Sequence, residues 1–273
     1  MTSTSHKRRA DRLLFMACSI VKNGQYTACL QQTQCRRVDW GIIGRMTTRL
    51  LDAVEINPVQ KPQACLIWLH GLGADGHDFE PLIPELHLVN EIGVRVVLPH
   101  APHRPVTING GMVMRAWYDV VSPDFGHAED RSGIRQSEQL LLALIAREMA
   151  NGIPAERILL AGFSQGGAMV LHTGVRYSQP FAGILALSCY LPLAESLARE
   201  RCEASRAVPI MIAHGVYDPL IPLALAEQSR ARLQQLGYTV DWHTYPMPHA
   251  VYPQEIRDLR DWLGKRFVLA IGR

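Results

Sequence analysis

ILLAGFSQGGAMVLH, residues 158–172, runs from a short apolar stretch through a glycine-rich turn into a second apolar stretch. Ile158–Ala161 is typical of a buried strand, whereas Ala168–His172 favours a helix. Glycines lie two residues before and two residues after Ser164, where small residues permit a tight strand-to-helix turn. A GxSxG match alone also fits an ordinary glycine turn. The flanking strand and helix make it more specific, and together they predict a nucleophile elbow that presents the hydroxyl of Ser164.

The same alternation of strand and helix continues on both sides of this stretch. Further strands are predicted at Ala64–Leu69, Val94–Leu98, Gly183–Ser188, Val208–Ala213 and Val240–Tyr245, the last of them nearer an edge. Helices are predicted at Ile134–Asn151, after Ser164, at Leu223–Leu236 and at Pro253–Phe267. Strands that alternate with helices indicate the α/β class, with a mostly parallel sheet that is covered by helices on both faces.

One long region, from about Pro99 to Gly133, has no strong periodicity and includes the turn signal Asn109-Gly110-Gly111. Loops of this length in a compact domain are usually functional or disordered. We therefore expect this region to form a wall of a binding site.

A serine nucleophile needs a base, and after an elbow of this type the partners follow in the order Asp or Glu, then His. Asp218 follows the strand Val208–Ala213, and His249 follows the strand Val240–Tyr245. We expect His249 to take the proton of Ser164 and Asp218 to orient the imidazole. Taken singly, Asp218 also fits a turn aspartate and His249 a surface loop histidine. Their order and their positions after strands favour the catalytic interpretation.

The oxyanion of a tetrahedral intermediate needs hydrogen-bond donors. The backbone N–H of Gln165, directly after the nucleophile, is predicted to supply one, and the N–H of Leu72 in an early glycine-rich loop a second. The alternative for that loop is a plain glycine turn. His100 and His103 form an HxxH pair, but they lack the helix and the glutamate of HExxH. We expect no metal and no cofactor.

Several ordered motifs, present from Ala64 to Phe267, resemble the carboxylesterase and acyl-protein thioesterase family of α/β-hydrolases. They are LHGLGADG at 69–76, RAWYD at 115–119, GFSQGG at 162–167, HGVYDP at 214–219 and PH at 248–249. The resemblance implies an α/β-hydrolase fold, the triad of Ser164, Asp218 and His249, and oxyanion donors at Leu72 and Gln165. It also implies that Trp117 and Tyr118 lie beside the active site and bind substrate, with simple packing as the alternative.

The expected function is hydrolysis of carboxylic esters through an acyl-enzyme, with a small-molecule ester or thioester as substrate. Ser164 separates the chain from the similar dienelactone hydrolases, which use cysteine as the nucleophile. The interval from Ser164 to Asp218 is too short for a cap domain, so we expect an open groove. An acyl-protein thioesterase or lysophospholipase is the alternative within the enzyme class, and a non-catalytic binding module is the alternative outside it.

Charge divides the chain near residue 45. Residues 1–45 have eight basic and two acidic side chains, a net charge of +6, whereas residues 46–273 have 20 basic and 23 acidic side chains, a net charge of −3. We predict that residues 1–45 are a basic extension, either disordered or preceding a true start at Met46, and that residues 46–273 are the catalytic domain. A lipoprotein or secretion signal at Cys18 is the weaker alternative, because only five apolar residues precede it.

Cysteine spacing and apolar content bear on the compartment. The cysteines after residue 45 lie far apart, which favours a reducing compartment and a cytoplasmic location. No apolar run approaches the roughly 20 residues that a transmembrane helix needs. The excess positive charge belongs to the N-terminal residues alone, so we expect no nucleic-acid partner. A homodimer stays open.

Overall fold

A computed structural model describes residues 50–122 and 129–272 of the chain. The basic extension and the expected boundary at residue 45 lie outside the described residues.

Seven strands form one central sheet, and two more form a separate hairpin. In chain order the strands are β1 (Ala53–Ile56), β2 (Ala64–Leu69), β3 (Val94–Pro99), β4 (His103–Val106), β5 (Met112–Arg115), β6 (Ile158–Phe163), β7 (Gly183–Leu187), β8 (Ile210–Gly215) and β9 (Val240–Tyr245). The central order is β1-β3-β2-β6-β7-β8-β9. Only β1 is antiparallel to its neighbour β3; the other five pairings are parallel. The expected mostly parallel α/β sheet is confirmed, with β9 at an edge.

The described residues form six α-helices, of which five lie between strands and the last follows β9. They are α1 (Val89–Ile92), α2 (Arg131–Ala150), α3 (Gln165–Gly174), α4 (Ala194–Glu200), α5 (Leu223–Gln235) and α6 (Pro253–Ile271). Side chains of α2, α3, α4 and α5 pack in the core on one face of the sheet. Those of α6 pack on the other face. Only α4 and short segments lie between β7 and β8, so the interval after Ser164 contains no cap domain, as expected.

The central strands are apolar throughout because both of their faces are covered. Every residue of β2 is buried. Its alternate residues, such as Ile67 and Trp68, belong to the two opposite cores. A layered core of this kind holds the ends of the parallel strands in a fixed row, and the functional loops leave from that row.

Two elements differ from the sequence-based expectation. The strand β1 was not expected; it has four residues and pairs only with β3. The region Pro99–Gly133 was expected to lack regular structure, yet β4 and β5 pair within it as an antiparallel hairpin. Gly110 and Gly111, with φ of 67° and 80°, make the turn. Such left-handed values favour glycine.

Two of the described cysteines, Cys65 and Cys189, are buried free thiols. Over residues 50–122 and 129–272, no helix has the length and apolar character that crossing a membrane requires.

Candidate active site

Ser164 lies in a strained turn between β6 and α3. Its backbone has φ 55° and ψ −121°, a region that L-residues rarely adopt and that is typical of functional turns. A Cβ on Gly162 would lie 2.4 Å from the carbonyl group of Gly166, and one on Gly166 would lie 2.3 Å from the carbonyl oxygen of Leu69. Both glycines are therefore needed for the tight turn, as the elbow pattern predicts.

The structure brings Ser164, His249 and Asp218 together at the carboxyl ends of the strands. The Oγ of Ser164 lies 2.9 Å from Nε2 of His249. The Nδ1 of His249 lies 2.6 Å from Oδ2 of Asp218. With the proton on Nδ1, that nitrogen donates to the carboxylate and Nε2 is free to accept from the serine hydroxyl. The three side chains form one continuous hydrogen-bonded chain.

The carboxylate of Asp218 is held on both of its oxygens. Its Oδ1 accepts hydrogen bonds from the backbone N–H groups of Leu220 and Ile221, each at 2.9 Å. Its Oδ2 accepts the hydrogen bond from Nδ1 of His249. The side chain has no exposed surface. Because each oxygen has fixed donors, the carboxylate cannot rotate without losing hydrogen bonds.

His214, at the end of β8, supports the same loop. Its Nε2–H donates to the carbonyl oxygen of Ile221 at 2.8 Å and lies 3.4 Å from Oδ2 of Asp218. Burial lowers the pKa of this imidazole, which favours its neutral form. Next to it, a Cβ on Gly215 would lie 2.4 Å from the carbonyl oxygen of Met247. The absence of that Cβ lets the loop that carries His249 approach β8.

The loop after β2 contacts the elbow directly. A Cβ on Gly71 would lie 3.3 Å from the Cβ of Ser164, so Leu72 follows a close approach to the nucleophile. Gln165, the other expected oxyanion donor, begins α3, where backbone N–H groups have no intrahelical acceptor. Both expected donors thus lie in segments adjacent to Ser164. Their role in stabilising an oxyanion stays a prediction.

Trp117 and Tyr118 lie behind this region. Their exposed fractions are 1% and 3%, so little of either side chain is available to a substrate. Their hydrogen bonds in the structure are to other residues of the protein, including His70 and Gln165. Substrate binding by these two residues stays a prediction.

Three further histidines, His70, His100 and His103, follow β2 or β3 in the chain. His70 is buried and accepts the N–H of Ala101 through Nε2. His100 accepts the N–H of Gly76 through Nδ1, while His103 is exposed in β4. Among the residues that the structure describes, no group of three His, Cys, Asp or Glu side chains is arranged to hold a metal ion.

Sequence reasoning assigned no role at the site to His70, His214 or the side chain of Gln165. Each histidine begins a His-Gly pair at the end of a parallel strand. That shared position is a signal that could have identified them as supports of the neighbouring loops. For the Gln165 side chain, the local sequence contains no comparable signal, because its partners are more than 45 residues away.

Comparisons with known proteins identify a matching family and similar chains. The family described as phospholipase/carboxylesterase matches residues 52–266. Acyl-protein thioesterase 1 of Neurospora crassa is 38% identical over 218 residues, which cover 76% of this chain and 89% of that protein. The Mycosarcoma maydis protein of the same name is 38% identical over 233 residues, 79% of this chain and 97% of that protein. The crystal structure of Arabidopsis thaliana SOBER1 has a TM-score of 0.71 at 29% identity, covering 74% of this chain and 98% of that one.

Proposed function

The chain belongs to the phospholipase/carboxylesterase family, and from this premise we propose that it cleaves carboxylic esters through an acyl-enzyme. In the proposal Ser164 is the nucleophile, His249 is the general base and acid, and Asp218 orients His249. The observation that carries the proposal is the hydrogen-bonded chain from Ser164 through His249 to Asp218, with distances of 2.9 Å and 2.6 Å.

The first half of the reaction forms the acyl-enzyme. The Oγ of Ser164 bonds to the carbonyl carbon of the ester while its proton moves to Nε2 of His249. The carbonyl π electrons move to the oxygen, which becomes an oxyanion that accepts hydrogen bonds from the N–H groups of Leu72 and Gln165. The bond to the alcohol oxygen then breaks, and His249 returns its proton to that leaving group.

The second half hydrolyses the acyl-enzyme. A water gives a proton to Nε2 of His249 as its oxygen bonds to the acyl carbon, and the same donors stabilise the second oxyanion. When the bond from the acyl carbon to Ser164 breaks, the proton returns to Oγ and the carboxylic acid leaves. Asp218 keeps the imidazolium stable in both halves without taking its proton.

Thioester hydrolysis is the second candidate within the same mechanism. It is supported by the 38% identity to proteins named acyl-protein thioesterase 1. Apolar side chains are exposed on the hairpin, at Met112 and Val113, and on the loop that carries Asp218, at Tyr217 and Leu220. These surfaces favour substrates with an apolar acyl part.

The proposal is tested first by locating the nucleophile. A fluorophosphonate probe is expected to label Ser164, as found by peptide mapping, and Ser164→Ala is expected to lower kcat for a p-nitrophenyl ester about 10⁴–10⁶-fold. Ser188→Ala is a matched control, because this buried serine also follows a parallel strand and its Oγ has no hydrogen-bond partner among the described residues. The control is expected to keep both labelling and turnover.

Turnover by Ser164→Ala at the parent rate would overturn the mechanism. Failure of the parent to react with the probe would favour a non-catalytic binding module. Values of kcat/KM on short esters, long-chain acyl thioesters and lysophospholipid then separate a carboxylesterase from a thioesterase or a lysophospholipase. The cytoplasmic location and a homodimer stay predictions that this panel does not address.

A further inference from the structure

The four residues Arg115–Tyr118 connect the loop after β2 to the elbow, and we refer to them as the brace. The indole Nε1–H of Trp117 donates to the carbonyl oxygen of His70 at 2.9 Å. The carbonyl oxygen of Arg115 accepts the N–H of Gly73 at 2.9 Å. His70 and Gly73 lie on either side of Leu72, so the brace holds the loop of this expected oxyanion donor at both ends.

The brace also holds the second expected donor residue. The backbone N–H of Trp117 donates to Oε1 of Gln165 at 2.6 Å. In return, Nε2 of Gln165 donates to the carbonyl oxygen of Tyr118 at 2.7 Å. This reciprocal pair uses the side chain of Gln165, while the backbone N–H of the same residue is the expected donor to the oxyanion.

Three residues of this network are buried. Trp117 is 1% exposed, Gln165 4% and His70, which bonds through its backbone carbonyl group, 1%. The carbonyl oxygen of Trp117 also accepts a hydrogen bond from the hydroxyl of Ser137 in α2. Buried hydrogen bonds of this kind are costly to break, because water cannot replace the lost partner.

We propose that Trp117 is a positioning residue that sets the separation of the two oxyanion donors, through its bonds to the His70 carbonyl group and to the Gln165 side chain. The proposal rests on the proposed function. An oxyanion hole acts only when its donors already lie where the charge develops, so a small displacement of one loop weakens transition-state binding more than substrate binding. Trp117 thereby acts through the backbones of Leu72 and Gln165 and needs no exposed surface.

The test compares two Trp→Phe variants. Trp117→Phe keeps a large buried ring but removes the bond to His70. Trp68→Phe is the matched control, because Trp68 is also 1% exposed, lies in the opposite core, and its Nε1 has no partner among the described residues. Trp117→Phe is expected to lower kcat about 10- to 100-fold and to leave KM within about twofold of the parent. The fall in kcat is smaller than the 10²–10³-fold loss that follows complete removal of one oxyanion donor. Trp68→Phe is expected to change neither.

A trifluoromethyl ketone inhibitor supplies a readout that loss of packing alone would not move. Ser164 adds to its carbonyl carbon, His249 takes the proton, and the resulting oxyanion occupies the hole. Its affinity is expected to fall by the same factor as kcat/KM in Trp117→Phe. Gln165→Met, which keeps the backbone N–H but loses both side-chain bonds, provides a second variant. In the double variant the losses should be less than multiplicative, since both changes act on one brace.

A loss in Trp117→Phe that appears only in KM, or that matches the loss in Trp68→Phe, would overturn the proposal. So would a fall in kcat without a fall in inhibitor affinity. If Trp117→Phe does not fold, the same criteria apply to Gln165→Met. Parent enzyme that fails to label at Ser164 overturns the proposed function and this inference with it, whereas normal labelling with an unaffected Trp117→Phe overturns the brace alone.

Discussion

Asp218→Asn tests whether the hydrogen bonds around this residue determine the proton position on His249. In the parent, Oδ1 accepts two backbone N–H groups and Oδ2 accepts the Nδ1–H of His249. The amide oxygen of asparagine will take the place of Oδ1, because an NH₂ group there would face two donors. The NH₂ group then faces Nδ1, which must become an acceptor, so the ring proton moves to Nε2. That nitrogen can no longer accept the proton of Ser164.

The size of the effect follows from the cost of reversing the amide. Reversal restores the active tautomer but leaves the N–H groups of Leu220 and Ile221 without an acceptor, at about 1–3 kcal/mol each. The two together cost roughly 2–6 kcal/mol. The reversed NH₂ group would also face these two N–H donors, which adds to the cost. Because each 1.36 kcal/mol corresponds to a factor of ten in rate, we expect kcat to fall about 10³–10⁴-fold.

The assay is steady-state hydrolysis of a p-nitrophenyl ester, with KM expected within about twofold of the parent because substrate contacts are unchanged. Asp241→Asn is the matched control. Asp241 also pairs with a histidine, His243, at 3.0 Å, but on the surface, and this variant should keep parent kcat. If Asp218→Asn retained more than a tenth of parent kcat, tautomer control by Asp218 would be refuted.

Two further predictions concern stability. Burial raises the pKa of Glu255 from 4.5 to about 7, so as pH rises from 4.5 to 7 the parent loses about 3 kcal/mol of stability relative to Glu255→Gln. Urea unfolding of both proteins at pH 4 and pH 8 measures this loss. A stability difference between parent and variant that does not change with pH would contradict the prediction. Gly166→Ala puts a methyl group 2.3 Å from the Leu69 carbonyl oxygen and should cost about 1–3 kcal/mol and lower kcat. The control is Gly264→Ala within α6, where the added Cβ would lie 3.9 Å from its nearest neighbour, the side chain of Ile92; this variant should raise Tm slightly.

Parts of the fold that have strong local patterns could be predicted from the sequence. Ala64–Leu69 and Val240–Tyr245 have the bounds that were expected, because each is a strand bounded by turn residues. The hairpin was missed because its first strand contains Pro105 and because most residues of its two strands are exposed or half-buried. Strand β1 has only four residues and gains its pairing from β3, which no local pattern shows.

The candidate site divides in the same way. Ser164, Asp218 and His249 could be chosen from their order and their places after strands, and the structure brings them within hydrogen-bond distance. The buried positions of Trp117 and the Gln165 side chain could not be foreseen. Their partners are 47 or 48 residues distant in the chain, so those bonds exist only once the tertiary structure has formed.

The positions of the proposed catalytic groups along the chain have a consequence for biosynthesis. The groups proposed for catalysis span the chain from Leu72 to His249, and the strand that leads to His249 is the last in the sheet. A growing chain that does not yet include His249 lacks the base, whatever part of the sheet has already formed. At 5–20 residues per second, a ribosome needs roughly 9–35 s to proceed from Leu72 to His249. If the proposed mechanism holds, a chain that stops between Ser164 and His249 has the serine without its base.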